Sequence, residues 1–269
     1  MSFARSSHSN FCAALLLTST LLFAGCGNNA TPKAVPVSVT GNWQISSSAK
    51  AAVKLPALSG SFSGTSAALT GILHSDSTSA CVPPTTPIAV SGSTNSKDIT
   101  TVTGQSLADG TLTLSGTLAA DGKSFTDATY TVSGGTCAFA TPAIATAQAF
   151  SPISGSYNGT FSDVDGPVLT LTGATLTQSP ASNADGNFTL SGSATFNNPC
   201  FSNSVSVSNT QVTGGSFTLT YADPNTMNSV VVSGTFSQDG TTLTVTDWTL
   251  TGSCGPDSGT GLLTKQSAS

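Results

Sequence analysis

The chain has 269 residues, of which 38% are hydrophobic and only 7% charged, and its formal net charge is −5. With seven Lys and Arg in all, it lacks the cationic surface that displaces counterions from nucleic acid, which is excluded as a partner. The twelve acidic residues are all Asp, Lys is scarce, and Thr, Ser, Gly and Val abound. A chain short of helix formers and rich in strand formers is an all-β protein.

Residues 1–25 read as a secretory signal peptide. Arg5 precedes the apolar run Phe11-Cys12-Ala13-Ala14-Leu15-Leu16-Leu17, which Thr18-Ser19-Thr20 interrupts and Leu21-Leu22-Phe23 resumes before the small residues Ala24-Gly25. The run is too short for a bilayer span of about 20 residues, and no later stretch is apolar enough. The segment Leu22-Phe23-Ala24-Gly25-Cys26 resembles the lipobox of bacterial lipoproteins, with Phe23 where that family prefers Leu, Val or Ile. The resemblance implies cleavage before Cys26, a diacylglycerol on its thiol and acylation of the new amino terminus. Two or more chains of this kind anchor a protein stably to a membrane. In that family an Asp after the cysteine retains the protein at the inner membrane. Gly27 therefore implies a place in the cell envelope at the outer membrane of a Gram-negative bacterium.

A polar, Pro-containing tether, 26–37, leads to a body that is written twice. Leu112-Thr113-Leu114-Ser115-Gly116-Thr117-Leu118 matches Val230-Val231-Val232-Ser233-Gly234-Thr235-Phe236, and Tyr130-Thr131-Val132-Ser133-Gly134 matches Trp248-Thr249-Leu250-Thr251-Gly252. Upstream, Leu69-Thr70-Gly71 leads to Cys81 as Leu190-Ser191-Gly192 leads to Cys200, and Gly41-Asn42-Trp43 matches Gly155-Ser156-Tyr157. The order is kept throughout, so two homologous domains are expected, 38–149 and 150–267. In the second copy, alternation predicts strands near 155–161, 168–172, 188–196, 205–209, 216–221, 229–236, 241–251 and 261–265. Asp121-Gly122 and Asp239-Gly240 sit between alternating runs and predict hairpins. Successive hairpins make an antiparallel meander, either a barrel or a sandwich. The Gly-x-aromatic opening is loosely similar to that of lipocalin-like barrels, over a motif so short that the body stays unassigned to a family.

Cys12 leaves with the signal and Cys26 is the lipidation site, so four cysteines remain in an exported chain, where disulfides persist. The duplication selects Cys81–Cys137 and Cys200–Cys254 among the three pairings. Each bridge would close a loop of roughly 55 residues, worth about 4 kcal/mol. No closely spaced cysteine pair suggests zinc, and no metal or cofactor is expected.

His74 is the single histidine after the signal; it has no counterpart in the second copy and no Gly-x-Ser-x-Gly elbow, and reads as an exposed or loop residue. Asp163-Val164-Asp165-Gly166 could start a calcium loop or supply paired acids, but reads as turn chemistry. Trp43, Tyr157, Tyr130, Trp248 and Tyr221 could stack on sugars, yet the first four recur at equivalent places and read as core. No catalytic residue is assigned. The sequence points to a non-enzymatic, lipid-anchored envelope protein that binds a small apolar or carbohydrate ligand. The alternative is a structural or adhesive surface protein, and an Asp-based hydrolase is a distant third.

Overall fold

The computed structural model describes residues 35–48, 50, 56–76, 86–107, 110–135, 141–202 and 204–267. Cys26, Cys81 and Cys137 lie outside the described residues. Among the described residues there is no helix and there are sixteen strands. The first eight are β1 (Gly41–Ser47), β2 (Leu58–Thr65), β3 (Ala68–Ser75), β4 (Ile88–Thr94), β5 (Ile99–Leu107), β6 (Gly110–Leu118), β7 (Ser124–Ser133) and β8 (Ala143–Phe150). The second eight are β9 (Gly155–Ser162), β10 (Pro167–Gln178), β11 (Leu190–Phe196), β12 (Val205–Thr213), β13 (Ser216–Ala222), β14 (Ser229–Phe236), β15 (Thr242–Thr251) and β16 (Asp257–Lys265).

Each set is a meander closed into a barrel, β1 pairing with β8 and β9 with β16, every pair antiparallel. Closure leaves no unpaired strand edge. The alternation that defines the strands also decides which way they face. On β6, Leu112 and Leu114 are buried inside while Thr111, Thr113 and Ser115 lie on the outer face. Apolar residues within and hydroxyls without are the inverse of a membrane-spanning barrel, whose outer face is an apolar band.

The two Asp-Gly hairpins have the same build. Gly122 and Gly240 adopt φ of +71° and +70°, and Asp121 and Asp239 accept the backbone N–H two residues on. Each glycine also presses against the segment entering its own barrel: a Cβ would lie 2.2 Å from Ser38 O at Gly122 and 2.9 Å from Pro152 O at Gly240. Glycine is required there for both φ and room.

Both interiors are filled, as expected of eight strands. Trp43, Tyr157, Trp248, Tyr130 and Tyr221 are all 0–1% exposed. Trp43 lies 5.1 Å from Phe62 and 5.6 Å from Phe125, and Trp248 6.0 Å from Phe161. Four of the polar tips bond to backbone carbonyls, Trp43 Nε1 to Val39, Tyr157 Oη to Gly240, Tyr130 Oη to Pro56, and Trp248 Nε1 to Thr260, while Tyr221 Oη is buried without a partner. Burial pushes the phenols of Tyr130 and Tyr157 up to about 12. These aromatics are core, sealed from any ligand.

Cys200 and Cys254 form the expected disulfide, with Cα atoms 5.9 Å apart. In an antiparallel meander, loops that follow odd-numbered strands share one end of the barrel. The bridge therefore ties the β11–β12 and β15–β16 loops across that end. Asn228, buried in the β13–β14 loop, donates to Cys200 O (2.6 Å) and accepts from Cys254 N (3.3 Å), bracing both arms. Cys81 and Cys137 fall in the corresponding β3–β4 and β7–β8 connections.

Residues 36–269 make one compact unit. The four residues between the barrels are held throughout: Ser151 N donates to Gln238 O and Ile153 N to Gln178 Oε1. Phe150, the last residue of β8, packs edge-on against Phe236 at 5.3 Å and joins the core of the second barrel. The other contact is polar. The β12–β13 turn of the second barrel lies on the outer face of β1–β3, where Asn42 Nδ2 donates to Gly214 O (2.7 Å) and Gly214 N donates to Asn42 Oδ1 (2.6 Å). Gly214 has φ +52°, and a Cβ on it would sit 2.2 Å from Ser59 Oγ.

Candidate functional site

The same docking forms a cleft of about 470 Å³ at the seam. Barrel one contributes His74 and Ser75 from the end of β3, with Asp76 just beyond. Barrel two contributes Asp185 and Asn187 from the β10–β11 loop, and Gln211 and Thr213 from β12. His74 is on the outer face because Leu73, its neighbour along β3, points into the lumen.

His74 was expected to be exposed or in a loop. It is instead a strand residue, 9% exposed, because the second barrel covers it. Its Nε2 lies 3.3 Å from Thr213 Oγ1, and its Nδ1 is buried without a hydrogen-bond partner. Burial pushes its pKa below the ordinary histidine value, and the nearby carboxylates of Asp76 and Asp185 oppose that shift without reversing it. The imidazole is therefore neutral at neutral pH.

The loop opposite is braced by its own hydrogen bonds and by contacts with the first barrel. Asn183 Oδ1 accepts from the backbone N–H of Asp185 (3.0 Å) and Asn187 (2.9 Å), which aims Asp185 outward. Gly186, at φ +80°, rests on the backbone of β3, where a Cβ would come within 2.6 Å of Ile72 O. Ser182 Oγ adds a 2.8 Å bond to Ser61 Oγ. Asn187 Oδ1 is a second buried polar atom without a partner. Asp76 accepts from Gln44 Nε2 at 2.9 Å.

No family model, curated protein or solved structure matches this chain. The chemistry of the cleft must therefore be read from its own atoms. A hydroxyl 3.3 Å from an imidazole nitrogen is the first link of a nucleophile–base pair, but the base of such a pair is oriented by a third group. Here His74 Nδ1 has no partner, so the Thr213–His74 pair stops one link short.

The other candidates are accounted for separately. Asp163 Oδ1 accepts from Asp165 N (2.7 Å) and Gly166 N (3.0 Å), the turn role expected of it, and lies in the β9–β10 loop, outside the seam. Among the described residues no group of three His, Cys, Asp or Glu could hold a metal ion. A second cleft, of about 580 Å³, follows the inter-barrel segment over Phe150 and Phe188. Its main polar groups are spent: Gln178 Oε1 on Ile153 N, Ser154 Oγ on Gln178 N, and Asn42 on Gly214.

Sequence reasoning missed Asp76, Asp185, Asn187, Gln211 and Thr213. Asp185-Gly186 carries an ordinary turn signal. Nothing local says that a loop more than a hundred residues on will meet His74.

Proposed function

We propose that this chain is a lipid-anchored protein of the cell envelope that holds a small carbohydrate-like ligand without converting it, in the cleft at the seam. The lipobox resemblance at Leu22–Cys26 supports the anchor, with the tether 26–37 carrying the domains 38–149 and 150–267 outside the membrane. The observation that carries the binding role is the contrast between two filled lumens and a polar cleft that both barrels line. Binding needs shape and a few placed polar groups, whereas catalysis needs an oriented base. The non-catalytic reading rests on that difference.

Two experiments test the two parts. Cys26→Ser should abolish labelling with radioactive fatty acid; undiminished labelling would sink the anchor. Native mass spectrometry of the mature chain from its own envelope should reveal a retained saccharide that Asp185→Asn loosens. An empty protein that also ignores soluble envelope saccharides would refute the binding role.

The adhesive reading keeps one observation of its own. Ser63, Thr70, Ser91, Thr103, Thr113 and Thr131 are successive partners across β2 to β7. They make a row of hydroxyls on the outside of the first barrel, roughly 4.8 Å apart. Under this reading, Thr103→Arg with Thr113→Arg would lower retention on purified envelope polymer while leaving the seam cleft untouched.

A further inference from the structure

We propose that His74 makes the seam acid-labile: when its imidazole takes up a second proton, the β12–β13 turn loses its hold on the first barrel. The ring stands on the outer face of β3, where water would reach it if the second barrel were absent, and it is 9% exposed because that barrel lies over it. Its hydrogen-bonding partner, Thr213 Oγ1 at 3.3 Å, comes from the far side of the seam, and its Nδ1 is buried with no partner. The consequence does not depend on which nitrogen carries the proton in the neutral ring, because the imidazolium has an N–H on both. Thr213 Oγ1 can accept one of them, whereas an N–H at Nδ1 would face neither acceptor nor water. A buried polar group without a partner is costly, and a buried charge without one is more so. Separation of the barrels returns both N–H groups to water, so protonation and docking oppose each other.

Few groups around the ring offset this. Asp76, two residues on along the chain, and Asp185 on the β10–β11 loop are carboxylates that favour the cation. Both are exposed, so water screens them, and Asp76 already accepts from Gln44. β1 and β2 contribute Gln44 and Ser59, and the second barrel contributes Thr213 and Gly214, none of them charged. No Lys or Arg is among the described residues lining the cleft. Burial prevails, and it holds the imidazole below the ordinary histidine value in the docked state. Separated barrels would leave the ring in water, with a value of about 6.5. Docking is therefore at full strength above that value and weakens as pH falls below it, until the docked ring is itself protonated.

The proton acts on the turn that carries the polar contact. Thr213 precedes Gly214, whose backbone Asn42 holds at both ends, and Gly214 lies over Ser59, the cross-strand neighbour of His74. Both barrels line the cleft, so loosening this turn takes its walls apart whatever the cleft holds.

The test is amide exchange of the mature chain by NMR, read at the Gly214 N–H and corrected for the intrinsic pH dependence of exchange. From about pH 7 to about pH 5 its protection should fall several-fold, one proton allowing at most about 25-fold. His74→Gln takes up no proton and should change by less than about twofold over the same range. With residues 1–25 absent, His74 is the single histidine, so its ring resonances report its protonation directly in the parent. This second measurement decides the matter even if the Gln variant docks too poorly to read. The ring should titrate below about 6.5, with protection falling above its midpoint and levelling off below it. Constant protection over that range, an equal fall in His74→Gln, or a ring that titrates at about 6.5 or higher in the docked chain would each overturn the inference.

Discussion

Asn42→Ala should uncouple the two barrels. Asn42 is 2% exposed and exchanges two hydrogen bonds with the backbone of Gly214, at 2.7 and 2.6 Å. Truncation removes both and strands a peptide N–H and a carbonyl beneath the second barrel. An unmade buried bond costs about 1–3 kcal/mol against a net gain of about 0.5–1.5 for a made one, so the loss for the pair is about 2–4 kcal/mol. Separation of the barrels would rehydrate Gly214, so the loss cannot exceed the free energy that docks them. For a chain of this size it corresponds to a fall in Tm on the order of 10 °C. Differential scanning calorimetry of the mature chain should show the single transition broaden or split, and proteases should cut within 151–154. Asn42→Asp gives a sharper check. It keeps an acceptor for Gly214 N but sets a carboxylate oxygen against Gly214 O, so it should be no better than alanine. An unsplit transition within 2 °C or so of the parent in both variants would refute the view that this contact holds the seam.

Cys200→Ser should lower stability by about 3–4 kcal/mol, read as a lower urea midpoint under oxidising conditions, because it frees a loop that now spans 54 residues. An unchanged midpoint would show that the Asn228 network alone closes that end. Non-reducing peptide mapping of the mature chain should link Cys81 to Cys137, as their matching connections imply; any link between the halves would refute the pairing. Asp223 accepts N–H bonds from Ser202 and Asn225, which hold its carboxyl well below the usual range. A lowered folded pKa contributes stability above the unfolded value near 4 and loses it as pH falls below that value. Asp223→Asn should therefore melt below the parent at neutral pH, with the gap closing below about pH 4; a gap independent of pH would refute the electrostatic account. Asp163→Asn keeps the Oδ1 that accepts from Asp165 and Gly166, so stability should move by no more than about 0.5 kcal/mol in urea denaturation, and a larger loss would mean the charge itself matters.

Much of the fold was legible because alternation and duplication are local signals. β14 was expected at its observed bounds and β13 to within one residue, and the recurring aromatics were read as core. Errors came where the alternation is interrupted. The strand expected at 168–172 runs on to Gln178, because Gly173 marks a register shift in β10 and not its end. The last strand begins at Asp257, earlier than expected, since Ser258, Gly259 and Thr260 carry no apolar alternation. Phe188 makes only an isolated bridge to Val212 ahead of β11. Barrel or sandwich could not be decided, because the answer is the pairing of Ile45 with Ala147 and of Leu263 with Gly159. Those contacts span about a hundred residues and leave no local mark. The seam was hidden for the same reason: His74 looks solitary until Thr213 and Asp185 arrive from the other barrel.

The two copies carry their large aromatics in exchanged places. The first strand has Trp43 and the seventh Tyr130 in one barrel, while the first has Tyr157 and the seventh Trp248 in the other. A chain that encodes the same barrel twice risks closing on the wrong partner while it folds, because neighbouring repeats are prone to misassembly. A hybrid taking β1 from one copy and β15 from the other would force two indoles into one lumen, and the reverse hybrid would leave two phenols where an indole is needed. Overfilling a packed core costs about 1–3 kcal/mol, and underfilling one costs more. The exchange would thus penalise hybrids while each barrel keeps one indole and one phenol at these two places.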